Sequence, residues 1–127
     1  MQMSRYAKNA GAVFSLKYHI VWCPKYRRPV LTGDVEIRLK ELLHDIAAEL
    51  SMTVHALEIM PDHVHVFVEA DPRWAVTEIV NRLKGRTSRM LRQEFSELRS
   101  RLPTLWSRSY FASTVGAVSE KTIQRYT

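Results

Sequence analysis

Two histidines one residue apart, His63 and His65, carry the clearest potential for chemistry in this 127-residue chain. They stand in Pro61-Asp62-His63-Val64-His65-Val66-Phe67-Val68-Glu69, where valines alternate with the other residues as in a half-buried strand. Side chains two apart on a strand share a face, so both imidazoles point the same way, with Cβ atoms about 6.5 to 7 Å apart. At that spacing each can give one ring nitrogen to a single divalent ion. The pair equally fits two ordinary strand residues on a half-exposed face, so its meaning depends on what else the chain places beside it. Cations form the second constellation. Pro24-Lys25-Tyr26-Arg27-Arg28-Pro29 sets three of them around one aromatic ring, and Arg82, Arg86 and Arg89 recur at i, i+4 and i+7, a column on one helical face. From Arg82 to Arg101 seven cations stand against two carboxylates, Glu94 and Glu97. Cations interleaved with an aromatic suit single-stranded nucleic acid, phosphates on the charges and a base on the ring. A solvated loop has the same composition as Pro24 to Pro29, and that alternative stays open; over Arg82 to Arg101 the uncompensated excess favours phosphate contact.

The whole chain agrees with that bias. Its formal charge is +6 and its pI about 9.8, a positive field that favours a polyanion. No segment approaches the ~18 to 20 apolar residues of a membrane span, and Met1 to Gly11 lacks a signal-type apolar stretch. The lone cysteine, Cys23, forms no intramolecular disulfide, which suits a reducing cytoplasm. At 46% hydrophobic, residues 1–127 are expected to make one domain with a core large enough to need no metal or disulfide staples.

The elements that must position these residues follow from periodicity. Val13 to Trp22 alternates as a strand, with Phe14, Leu16, Tyr18, Ile20 and Trp22 on its apolar face, and prolines end it. Thr32 to Ser51 is an amphipathic helix with Thr32 or Asp34 as N-cap; His44 lies off its apolar stripe, on the surface. Met52 to Met60 alternates again, with Val54, Ala56 and Glu58 on one side and His55, Leu57 and Ile59 on the other. Met60-Pro61-Asp62 is too short for a crossover, so this strand and the histidine strand form an antiparallel hairpin. Trp74 to about Leu102 is helical, with an interruption expected at Gly85 or near Ser96. A strand over Ser109 to Val115 and a short helix over Glu120 to Tyr126, capped by Ser119, complete the chain. The order predicts an α+β fold, a ferredoxin-like antiparallel sheet (βαββαβ) with two helices on one face. The valines of the histidine strand face the helices. His63, His65 and Phe67 face the other way, toward the C-terminal segment with Tyr126.

Three blocks resemble the single-tyrosine HUH transposases of bacterial and archaeal insertion sequences. They are Tyr18-His19-Ile20-Val21-Trp22 through Lys25-Tyr26-Arg27-Arg28-Pro29-Val30, Met60-Pro61-Asp62-His63-Val64-His65, and Tyr110 to Gly116 followed by Ser119 to Tyr126. The resemblance implies action on single-stranded DNA hairpins at element ends. His63 and His65 become ligands of Mg²⁺ or Mn²⁺, and Tyr126, on the short C-terminal helix, becomes the nucleophile that forms a 5′-phosphotyrosine. It also implies a homodimer in which the tyrosine helix of one subunit often completes the histidine site of the other, working in the prokaryotic cytoplasm at the nucleoid. Lys25, Arg27, Arg28, Arg82, Arg86 and Arg89 are assigned to DNA from charge, not from the family motif. Members usually carry a glutamine one helical turn beyond the tyrosine as a third metal ligand, a position past Thr127; Gln124, about 200° round the helix from Tyr126, does not replace it. Two neighbouring functions share these features: a module that holds DNA hairpins without cutting them, and a chromosomal relative acting on repeated palindromes.

Overall fold

Alternation builds the first strand. The computed structural model describes residues 15–115 and places it as β1 (Leu16–Trp22), with Tyr18, Ile20 and Trp22 buried. After a single 3₁₀ turn (Lys25–Arg27) the chain runs through α1 (Gly33–Glu49), β2 (Thr53–Met60), β3 (His63–Ala70), α2 (Val76–Glu94), α3 (Ser96–Arg101) and β4 (Phe111–Thr114). The strands pair antiparallel in the order β2-β3-β1-β4, the ferredoxin-like arrangement that the element order predicts. Val64, Val66 and Val68 turn to the helices and are fully buried with Leu39, Leu43 and Ile46 of α1 and Ile79, Val80 and Leu83 of α2. Each such side chain contributes about 1.5 to 3 kcal/mol by leaving water. The histidines are thereby held on the outer face by a layer of valines that has nowhere else to go. The expected last helix, over Glu120 to Tyr126, lies outside the described residues. Among the described residues no helix is long and apolar enough to cross a membrane.

Three local expectations are resolved or corrected. The long helical region breaks at Phe95, whose φ of −124° and ψ of 96° are extended; Gly85 stays helical. Thr32 is the N-cap residue of α1 but its hydroxyl makes no capping bond. In β2 the strict alternation fails. The ladder steps from Val54 opposite Val68 to Ala56 opposite Phe67, so His55 is an extra residue in a β-bulge. Val54 therefore packs on the core side with Leu57 and Ile59, and His55 joins Ala56 and Glu58 on the histidine side. The cause is burial: with perfect alternation Val54 would face away from the core that Leu57 and Ile59 enter.

The segment leading into β4 is fixed by polar bonds. The backbone N–H of Lys25 donates to the carbonyl of Leu105 (2.8 Å) and that of Ser107 to Cys23 (2.9 Å). Lys84 donates from Nζ to the carbonyl of Ser107 (2.7 Å), and burial pushes its pKa down. Trp106 packs edge-on against Trp22, and its Nε1–H donates to the buried Thr87 Oγ1 at 3.0 Å. Thr87→Val keeps the volume but removes the acceptor. A buried donor left unmatched costs about 1 to 3 kcal/mol, so the variant's unfolding free energy is expected to fall by that amount, read as a lower denaturant midpoint; an unchanged midpoint would refute the bond's contribution.

Candidate functional site

The outer face of the sheet gathers the side chains that alternation sends away from the helices. His63, His65, Phe67 and Glu69 come from β3, Lys17, His19 and Val21 from β1, and Glu58 and Met60 from β2. Pairing sets neighbours: Glu58 opposes His65, Met60 opposes His63, Val21 opposes His65 and His19 opposes Phe67. His63 is reached at Nδ1 by Asp62 Oδ1 at 3.0 Å. The bond to His63, aided by Arg27, holds the Asp62 carboxyl below its ordinary range. His65 Nδ1 lies 3.5 Å from Glu58 Oε1, an ion-pair separation. A carboxylate on the Nδ1 side of the His63 ring leaves its Nε2 as the atom that would face a metal, the usual support of a metal-binding histidine, whereas His65 Nε2 is engaged by His19 and would have to exchange that partner for an ion.

A third imidazole, which sequence reading left without a role, belongs to this face. His19 Nδ1 and His65 Nε2 lie 3.1 Å apart, one of them carrying the hydrogen, and the His19 ring stacks on Phe67 at 4.2 Å with an interplanar angle of 4°. Burial lowers its pKa, and the charge of His65 lowers it further. The signal was available: strand parity puts His19 on the polar face of β1, and β1 pairs with β3. His55, brought to the same face by the bulge, contacts Glu69 at 2.7 Å. Burial pushes the Glu69 carboxyl up, but bonds from Ser15 and His55, with the charges of His55 and Lys17, bring it below its ordinary value.

His63 and His65 present two imidazoles to the outer face, a pair that would fill part of a divalent ion's coordination shell; among the described residues no group of three or more His, Cys, Asp or Glu side chains is placed to hold a metal ion.

The cations divide between the two sides of the molecule. Arg27 Nη2 donates to Asp62 Oδ2 at 3.0 Å, so the turn after β1 is tied through Asp62 to His63. Lys25 Nζ sits 5.5 Å from the centre of the Tyr26 ring. Arg28 instead lines a cleft of about 370 Å³ with Arg101. Tyr26 and Arg27 have φ of 60° and 51°, the left-handed region, where a side-chain-bearing residue costs about 1 to 2 kcal/mol; the result leaves the Tyr26 ring 66% exposed. Arg82, Arg86 and Arg89 are not brought to the histidines. They project from α2, which covers the opposite face of the sheet. Arg82 lies over the Trp74 ring at 5.5 Å, Arg86 pairs with Glu49 at 2.7 Å, and Arg89 borders a groove with Arg92 and Arg99. Tyr126 lies outside the described residues.

Residues 12–127 match the protein family described as "Transposase IS200 like". The ISDra2 transposase TnpA of Deinococcus radiodurans is 40% identical over 121 residues, covering 94% of this chain and 86% of that protein. The transposase for insertion sequence element IS200 of Salmonella typhimurium is 32% identical over 115 residues, covering 89% of this chain and 75% of the relative. Among solved structures, a Deinococcus radiodurans protein described as a transposase superposes with a TM-score of 0.78 at 38% identity, over 94% of this chain and 93% of its own. A REP-associated tyrosine transposase bound to a REP hairpin superposes with a TM-score of 0.61 at 12% identity, over 88% of this chain and 61% of its own, a likeness of fold.

Proposed function

The chain belongs to the IS200-like transposase family, and on that premise we propose that it cuts and rejoins single-stranded DNA at the ends of a mobile element through a tyrosine–DNA intermediate. The observation that carries this reading is the histidine pair on the sheet face away from the helices, each ring with a carboxylate at Nδ1. His63 and His65 would hold Mg²⁺ or Mn²⁺, which when bound supplies Lewis acidity at a phosphate oxygen. Tyr126 provides the nucleophile. Its Oη forms a bond to phosphorus, the P–O3′ bond breaks, and the departing 3′ oxygen takes up a proton as the phenol gives one up, leaving a 5′-phosphotyrosine and a free 3′-OH. The phosphodiester bond energy is kept in the new linkage, so a later 3′-OH can reverse the step without ATP. A hydrolytic nuclease would lose it.

DNA hairpins are the proposed partner, on the basis of family membership, the net charge and the turn Lys25 to Arg28. A homodimer is proposed from the family alone. The test is a labelled single strand carrying an element end, incubated with protein and Mg²⁺ or Mn²⁺ and resolved under denaturing conditions. A covalent adduct that EDTA prevents is expected. Salt-sensitive hairpin binding without adduct under either metal would overturn the enzymatic reading in favour of a binding module.

A further inference from the structure

A cleft beside the histidine face shares Tyr26 and Arg27 with the turn described above, and its interior has been given no role. It opens where the end of β1 meets the segment before β4, encloses about 460 Å³, and is walled by Trp22, Tyr26, Arg27, Tyr110 and Phe111. That volume falls within the roughly 300 to 1,000 Å³ typical of ligand pockets. Three of its four aromatic walls are open to solvent, Tyr26 at 66%, Phe111 at 63% and Tyr110 at 37% exposure, while Trp22 is buried. Two of them have cations close by, Lys25 Nζ at 5.5 Å from the Tyr26 ring and Lys84 Nζ at 5.9 Å from that of Tyr110. The Nε1–H of Trp22 is buried without an acceptor among the described residues, a condition that native structures rarely tolerate.

The position ties the cleft to the histidines. Phe111 opposes Val21 across β1 and β4, and Val21 opposes His65 across β1 and β3, so Phe111 and His65 flank Val21 on one face. Two strand spacings put their backbones roughly 9.5 Å apart. The Arg27 wall is joined to His63 through Asp62. Backbone strain points the same way: consecutive left-handed residues, Tyr26 and Arg27, both line this cleft, and such strain concentrates at ligand-binding positions.

We propose that this cleft is a subsite for one unpaired base of the DNA strand, close to the scissile phosphate, stacked against Tyr26 and Phe111 with its phosphate near Arg27. The proposal rests on the strand-transfer reading above and names where that substrate is gripped. Rings with flanking cations suit a base and its phosphate better than an apolar ligand, since any base offers a π-face and every nucleotide a charge.

The test measures non-covalent binding of a fluorescent single strand spanning the cut, so it stands whether or not an adduct forms. Single abasic nucleotides are stepped through the positions flanking the cut, against the full chain and its variants Tyr26→Gly, Phe111→Ala and Ile37→Ala. Glycine takes a φ of 60° without strain, so Tyr26→Gly removes the ring while keeping the fold, which a thermal melt verifies. Ile37, an exposed apolar residue on α1, serves as control. One abasic position is expected to weaken wild-type binding roughly 5- to 100-fold. Tyr26→Gly and Phe111→Ala should bind the intact strand more weakly by a similar factor and lose the abasic penalty, while Ile37→Ala retains it. An equal penalty in all four proteins, or none at any position, would overturn the subsite. Adduct formation that ignores both the variants and the abasic steps would do so too, leaving the transposase chemistry standing.

Discussion

Tyr126→Phe is expected to abolish the covalent protein–DNA adduct, a loss of more than about 10⁴-fold in its rate of formation. Phenylalanine retains the ring but has no oxygen to bond phosphorus, and no neighbouring hydroxyl inherits the linkage if Tyr126 is the nucleophile. Hairpin affinity should stay within about twofold, because phosphate contacts that dominate such binding are untouched. The experiment is a single-turnover time course on a labelled strand, with hairpin binding measured in parallel. An adduct formed by the phenylalanine protein would remove Tyr126 from the mechanism.

The second large effect concerns the histidines. His63→Ala and His65→Ala should each slow adduct formation by roughly 10² to 10³-fold, and the double variant should be little worse than the poorer single one, because two ligands of one ion act as a unit. Divalent-ion affinity, followed by Mn²⁺ titration, should fall in step. His65→Ala carries an added consequence, since it also deprives His19 Nδ1 of its partner at 3.1 Å. Independent, multiplying losses with unchanged Mn²⁺ affinity would mean that the two rings serve the protein separately and not through a shared ion.

What the sequence discloses here follows from how each feature is encoded. The sheet order and the direction of His63 and His65 were legible because a two-residue repeat sorts side chains to faces, and the valines left only one face for the core. The roles proposed for His63, His65 and Tyr126 come from the resemblance of three blocks to the family, since a His-X-His spacing alone also fits ordinary strand residues. His19 stayed hidden for a different reason: its importance lies in a pairing between β1 and β3 that sets it beside His65, and pairing is not local in sequence. Arg82, Arg86 and Arg89 were read as a column from helical spacing, yet periodicity cannot say which side of the sheet the helix covers. They are carried on the layer opposite the histidines, so contact with the strand being cut would have to come from DNA that reaches round the molecule. The turn at Tyr26 and Arg27 was legible from composition as a solvated loop or a nucleic-acid contact, but its conformation was not, because left-handed backbone at side-chain-bearing positions has no sequence signature.

The bulge at His55 bears on how this sheet tolerates changes in length. Val54 opposes Val68 and Ala56 opposes Phe67, so deletion of the single codon for His55 would join two residues already in consecutive register. The shortened strand would alternate without a fault, with Val54, Leu57 and Ile59 still directed inward. What would go is the imidazole that binds Glu69, and with it one polar contact on the outer face. In an alignment of relatives, a one-residue gap at this point would therefore mark an altered periphery and not a different fold.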